Sequence, residues 1–267
     1  MRRMAALVGK ELADLRQNPT LFAPVVLVGF FAILVPMFIA VILPSVTGER
    51  LSDSSDFEVA IELYRQQAFM GTLGPEAAIQ AYVFQGFLVF LVLVPVTASM
   101  SIAAFSVIGE KQARALEPLL ATPITTLELL GAKVLGALIP AVVLMIGCLG
   151  VYLLAIAWVA QPGVFWILLA PRSLAVVFVM APLVSLAALQ MAVCVSSRVN
   201  DARTAQQIGA LVILPLTGLF VAQLLGAIVL TVPLILLIAL GLVGLNAGLM
   251  WMAIRLFDRE TILTRWR

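Results

Sequence analysis

The residues able to do acid–base, metal or nucleophilic chemistry are few in this chain and stand apart from its apolar stretches. There is no histidine, which removes the commonest metal ligand and general base together. Cys148 and Cys194 lie inside apolar runs, where a free cysteine behaves as a small hydrophobe. No GxxxxGK[ST] phosphate loop occurs: Gly131 and Lys133 are separated only by Ala132 and lack an upstream glycine at the required spacing. The chain is therefore expected to bind neither ATP nor a metal and to hold no catalytic residue. Its most conspicuous polar interruption is "GEKQARALEPLLATPITTLELLGAK", Gly109 to Lys133. What these residue types offer is contact rather than catalysis. Glu110, Lys111, Arg114 and Glu117 can form ion pairs, and Leu116, Leu119 and Leu120 repeat at spacings of three and four, the period of one helical face.

The elements around that segment follow from composition. Hydrophobic residues make up 63% of the chain and charged residues only 11%, against about 25% charged in soluble domains. Several apolar runs exceed the roughly 18 residues that mark a membrane span. The expectation is an all-α integral membrane protein, one transmembrane domain over 1–267. It has six transmembrane helices at 21–44, 81–108, 134–158, 173–197, 208–227 and 232–256, an N-terminal interfacial helix and a cytoplasmic helical segment over 109–133. The short link 227–231, with Pro215 and Pro233 near it, admits either two full spans or a re-entrant pair.

The interiors of these six stretches hold no Asp, Glu, Lys or Arg, which disfavours a proton- or ion-coupled carrier, although sodium sites made of carbonyls and hydroxyls escape that test. Prolines at 24, 36, 95, 140, 182, 215 and 233 predict kinks in or beside nearly every span. Gln85, Thr97, Ser99, Ser101, Gln190, Gln223 and Asn246 read as hydrogen-bonding glue between helices, and Gly244 with Gly248 as a small-xxx-small pair. A net charge of +2 with no run of five to eight basic residues gives no nucleic-acid footprint.

Lysine and arginine set the expected orientation. Arg2, Arg3, Lys10, Arg16, Lys111, Arg114, Lys133, Arg198, Arg203, Arg255, Arg259, Arg265 and Arg267 fall on one side, Arg50, Arg65 and Arg172 on the other. Both termini and the 109–133 segment are thus expected in the cytoplasm. No signal-peptide pattern precedes the first span, so the N-terminus reads as mature sequence. In residues 1–20, Ala5, Val8, Leu12 and Leu15 share a helical face, the pattern of an elbow lying along the inner interface. Asn18 and Pro19 end it. The outer loop 45–80 is acidic, with either a helix at 57–70 or a solvated connector.

Within the charged segment, Glu110, Lys111, Gln112 and Arg114 are expected to end the second span in water. Thr122 and Pro123 stop a short helix. A second begins near Thr125 and Thr126, whose hydroxyls suit an N-cap, with Glu128 in its first turn. Lys133 marks the return to the membrane. A mere connector needs no leucines at 116, 119, 120, 127, 129 and 130. They pack either on the bundle or in a partner's groove.

This stretch resembles the signature region of type 2 ABC transporter permeases. There an acidic residue, a basic residue, a Leu-Glu pair, two leucines, a Thr-Pro and a Gly-x-Lys recur in order, here Glu110, Lys111, Leu116, Glu117, Leu119, Leu120, Thr122, Pro123, Gly131 and Lys133. "GKELADLRQNPTLF" is similar to the family's interfacial entry helix, and with the six-span layout the likeness covers essentially the whole chain. Where the family commonly carries Gly-Thr before Leu-Glu, this chain has Arg114 and Ala115, a more helical and more basic turn.

The resemblance implies a permease without its own ATPase site, paired as a homodimer or heterodimer with a second permease among membrane lipids. Separate ABC ATPase subunits would carry the ATP and Mg. It implies that Glu110, Lys111, Leu116, Glu117, Leu119, Leu120, Thr122 and Pro123 contact the ATPase, with Glu110 and Glu117 as polar contacts. It also implies a prokaryotic plasma (inner) membrane location. The expected function is ATP-driven export of a hydrophobic or amphipathic substrate. The alternative is a membrane transmitter that moves an extracytoplasmic partner without transporting anything.

Overall fold

In lipid a backbone N–H or C=O has no water to bond, so an apolar chain that crosses must satisfy those groups within a helix. The computed structural model describes residues 8, 9, 13, 19–53, 73–112, 126–196, 199 and 201–256, and every regular element among them is helical. Among the described residues six helices are long and apolar enough to cross a membrane: Ala23–Thr47, Pro75–Glu110, Leu127–Val159, Pro171–Ser196, Arg203–Leu224 and Val232–Leu256. The last two, of 22 and 25 residues, each reach the roughly 20 residues a full crossing needs. They are joined by a turn in which Gly226 takes a φ of 70°. The interfacial elbow over 1–20 lies almost wholly outside the described residues, as does the outer stretch 57–70.

Three prolines coincide with interruptions in the helices, whereas Pro36 and Pro140 lie within unbroken ones. Pro44 cannot donate to the Ala40 carbonyl, and the turn before it opens into a π-helix at Phe38–Ile42, where Leu43 donates to Phe38 five residues back. Pro182 stands in the same relation to a π-helix at Val176–Met180, where Ala181 donates to Val176. Pro95 cannot donate to Leu91, and the second span breaks there into Pro75–Leu91 and Leu93–Gln112. Each interruption has an identifiable cause, the donor that proline lacks.

Long polar side chains of the second span serve the half of the bundle remote from Glu110, chiefly through backbone groups. Gln80 Nε2 donates to the Ala40 carbonyl at 3.2 Å, the group that Pro44 leaves free, while its Oε1 accepts from the Gln161 amide at 2.9 Å. Gln85 Nε2 donates to the Ile167 carbonyl and to Ser173 Oγ, each at 3.2 Å. The Tyr82 hydroxyl lies 2.7 Å from the Gln223 carbonyl and 2.9 Å from that of Leu224, at the end of the fifth span. From the third span, Tyr152 donates to the Phe84 carbonyl at 2.9 Å.

The second and fourth spans form the centre. They pack extensively on each other, and both bury small residues, Ala98, Ala103 and Ala104 on one and Ala187, Ala188 and Ala192 on the other, of the kind that lets backbones approach. Ser99 Oγ donates to the Ser185 carbonyl at 3.1 Å across this contact. The second span has 89% of its most apolar stretch buried and the fourth 67%, against 17% for the fifth. The others wrap this pair and turn apolar faces outward, among them Val26, Leu154 and Leu240. Asn246 ties the sixth span to the Leu183 carbonyl of the fourth at 3.0 Å. Among the described residues, a Cβ at Gly244 or Gly248 would meet nothing within 4 Å, so that small-residue pair makes no close helix contact there.

Candidate functional site

The second span runs 36 residues and the third 33, about 54 and 50 Å at 1.5 Å per residue, against a hydrocarbon core of about 30 Å. Helix continues past the apolar stretch in both. The second persists to Gln112, and the third begins at Thr126. The two charged residues at these ends meet. Lys133 Nζ lies 2.7 Å from Glu110 Oε2, with side-chain exposures of 2% and 10%. The same ammonium donates to Ser106 Oγ at 2.8 Å.

The geometry follows from helix periodicity. Ser106 and Glu110 are four residues apart, so their side chains share one face a single turn apart. A lysine ammonium has three donors and no acceptor, and here it bridges both. Apolar packing frames the network: Val107 and Leu130 are buried in one cluster with Met100, Ala103 and Ala137, and Ile108 packs with Ala104 and Ala205. Leu129 and Leu130 pack into the bundle, whereas Leu127 is 55% exposed. Removing one partner of such a buried pair leaves a charge without compensation, at a cost of about 3–5 kcal/mol.

The fifth span's foot reaches the same region. Asp201 caps it, its Oδ2 accepting from the Thr204 amide and from Thr204 Oγ1, both at 3.1 Å. The Thr204 amide, the Thr204 hydroxyl and then the Arg203 amide hold the Asp201 carboxyl below its ordinary value. Gly209 lies close enough to Met100 that an added Cβ would sit 2.7 Å from its sulfur.

The sequence places Glu110 at a watery span end with a role toward the ATPase. In the structure its carboxylate turns inward to Lys133. Lys111 stands in the last turn of the second span. Leu116, Glu117, Leu119, Leu120, Thr122 and Pro123 lie outside the described residues, as does Arg114. Ser106 was not singled out from the sequence. Its signal was there, a hydroxyl one helical turn before a carboxylate on a helix that had to continue.

A helical bundle of six spans, with charge confined to the ends of its helices, defines a multi-pass membrane protein. A family model described as ABC-2 family transporter protein matches residues 73–238, and the chain belongs to that family. It is therefore a transmembrane permease subunit of an ABC transporter, and the family implies an ABC ATPase partner. Comparison with curated proteins and with solved structures found no match.

Proposed function

We propose that this permease exports a hydrophobic or amphipathic substrate, driven by ATP hydrolysis with Mg on a separate ABC ATPase subunit. The observation that carries the reading is the family match from the second span to the start of the sixth, joined to spans whose Asp, Glu, Lys and Arg residues, among those described, stand near the helix ends. A pathway so apolar suits cargo that itself partitions toward lipid. A second permease, identical or related, completes the pathway. The segment 109–133 is the coupling element, with Glu117, Leu116, Leu119 and Leu120 facing the ATPase in the helix-in-groove mode. The lysine and arginine distribution supports cytoplasmic termini in a prokaryotic plasma membrane.

The test is reconstitution of the permease with its ABC ATPase in proteoliposomes, using a fluorescent amphiphile as the transported probe. Export predicts ATP-dependent movement of the probe and its stimulation of hydrolysis. Nucleotide-dependent change in the outer loop without probe movement would favour the transmitter. Movement driven by an ion gradient without ATP would overturn both.

A further inference from the structure

Glu110 is buried against Lys133, its side chain only 10% exposed. We infer that Glu110, Lys133 and Ser106 are positioning residues for coupling: a clasp that joins the roots of the second and third spans, so that the segment between them moves both as one body. The inference rests on the ATPase-coupled reading above.

Residues 113–125 connect Gln112, the end of one helix, to Thr126, the start of the next. Any displacement of that segment enters the membrane through those two attachment points. Two unlinked helices would take up part of the displacement as relative sliding. Helices cross-linked at their roots respond together, the rigid-body mode by which small movements at an effector site are transmitted. The charge network adds something that neighbouring apolar contacts lack. Leu130 against the buried cluster around Val107 supplies adhesion, but an ammonium 2.7 Å from a carboxylate and 2.8 Å from a hydroxyl one turn away fixes both height and rotation. Fixing register is the best-attested use of a buried polar group. The placement fits that use, because the clasp closes the base of the segment expected to meet the ATPase.

The experiment uses the full complex of permease and ATPase with spin labels at Gly109→Cys and Leu127→Cys, both exposed positions, in a Cys148→Ala, Cys194→Ser background. The clasp predicts one narrow inter-label distance, unchanged between nucleotide-free and ATP-bound complexes. The neutral pair Glu110→Gln with Lys133→Met leaves no unpaired charge, so a purely structural role would leave coupling intact in it. The expectation is instead that this variant still co-purifies with the ATPase, its distance broadens or shifts with nucleotide, and permease-dependent hydrolysis falls roughly ten-fold. The exchanged pair Glu110→Lys with Lys133→Glu should recover most of both signals. It also decides the matter if the neutral pair fails to insert. A distance that changes with nucleotide in the intact clasp, or wild-type distance and hydrolysis in the neutral pair, overturns the clasp while leaving the ATPase partnership standing. Failure of the unmodified permease to bind any ABC ATPase overturns the partnership and the clasp with it.

Discussion

The two ends of the second span are tied down by different chemistry. At its N-terminal end, the outer end in the orientation proposed above, Glu76 accepts from the Leu51 and Ser52 amides, each at 3.3 Å, drawing the exit of the first span to the entry of the second. One turn and more inward, Gln80, Tyr82 and Gln85 bond mainly to backbone. At the C-terminal end, the inner one in that orientation, the contacts run between side chains, an ion pair of Lys133 with Glu110 and a hydrogen bond from Lys133 to Ser106. Backbone groups are present whatever the sequence, and the outer ties supply partners to carbonyls that prolines and helix ends leave free. The inner tie depends on the identity of three residues and on exact complementarity of charge. One end is mended; the other is latched.

If that contrast is right, the largest single effect belongs to the latch. Lys133→Met alone should destabilise the bundle by about 3–5 kcal/mol in denaturant titration in mixed micelles, because the Glu110 charge is left buried. A loss no larger than that of an outer-end variant would erase the distinction. Next, Gln80→Leu strips the partner from the Ala40 carbonyl, at a residue with no exposed surface. The expected loss is about 1–3 kcal/mol. Hydrogen exchange around Phe38–Ile42 should rise with it, whereas exchange at the inner end should stay unchanged.

Glu76→Gln keeps an acceptor but removes the charge. It should cost about 0.5–1.5 kcal/mol at most, seen as faster exchange of the Leu51 and Ser52 amides. The smallest effect is at the fifth span's foot. Asp201→Ala should speed exchange of the Thr204 amide with little change in global unfolding. The Asp201 carboxyl is held below its ordinary value by the Thr204 and Arg203 bonds. Its contribution is thus present above the unfolded value and is lost only as pH falls through the lowered one, below about pH 4. Thr204 exchange that accelerates between pH 7 and 5 would contradict this.

The six spans and the helical class were legible because apolar runs longer than a bilayer is thick admit few other structures. The ends of the spans were less so, for a physical reason. Hydropathy scores each residue alone, so the apolar stretch stops at Ile108 and restarts at Val134, although the helices continue to Gln112 and begin at Thr126. Glu110 and Lys133 look like boundaries singly and are interior only as a pair. At the fifth span, Asp201 three residues before Thr204 was a readable cap, but the polar turn after it, Ala202 to Gln207, hid the helix from an apolar scan. Nothing in the spacing of the prolines told that Gln80 on another helix would take up the carbonyl that Pro44 frees. Long-range partners of that kind are fixed by packing, 40 residues away in the chain.

The most direct test of the latched inner end is a double-mutant cycle of Glu110→Gln and Lys133→Met, followed by denaturant titration in mixed micelles. The account predicts that the double variant loses less stability than the two single losses summed, by about 1–3 kcal/mol, because removing both charges leaves neither stranded. Additive losses would mean that the two residues stabilise their helices separately and that the roots of the second and third spans are not joined by charge.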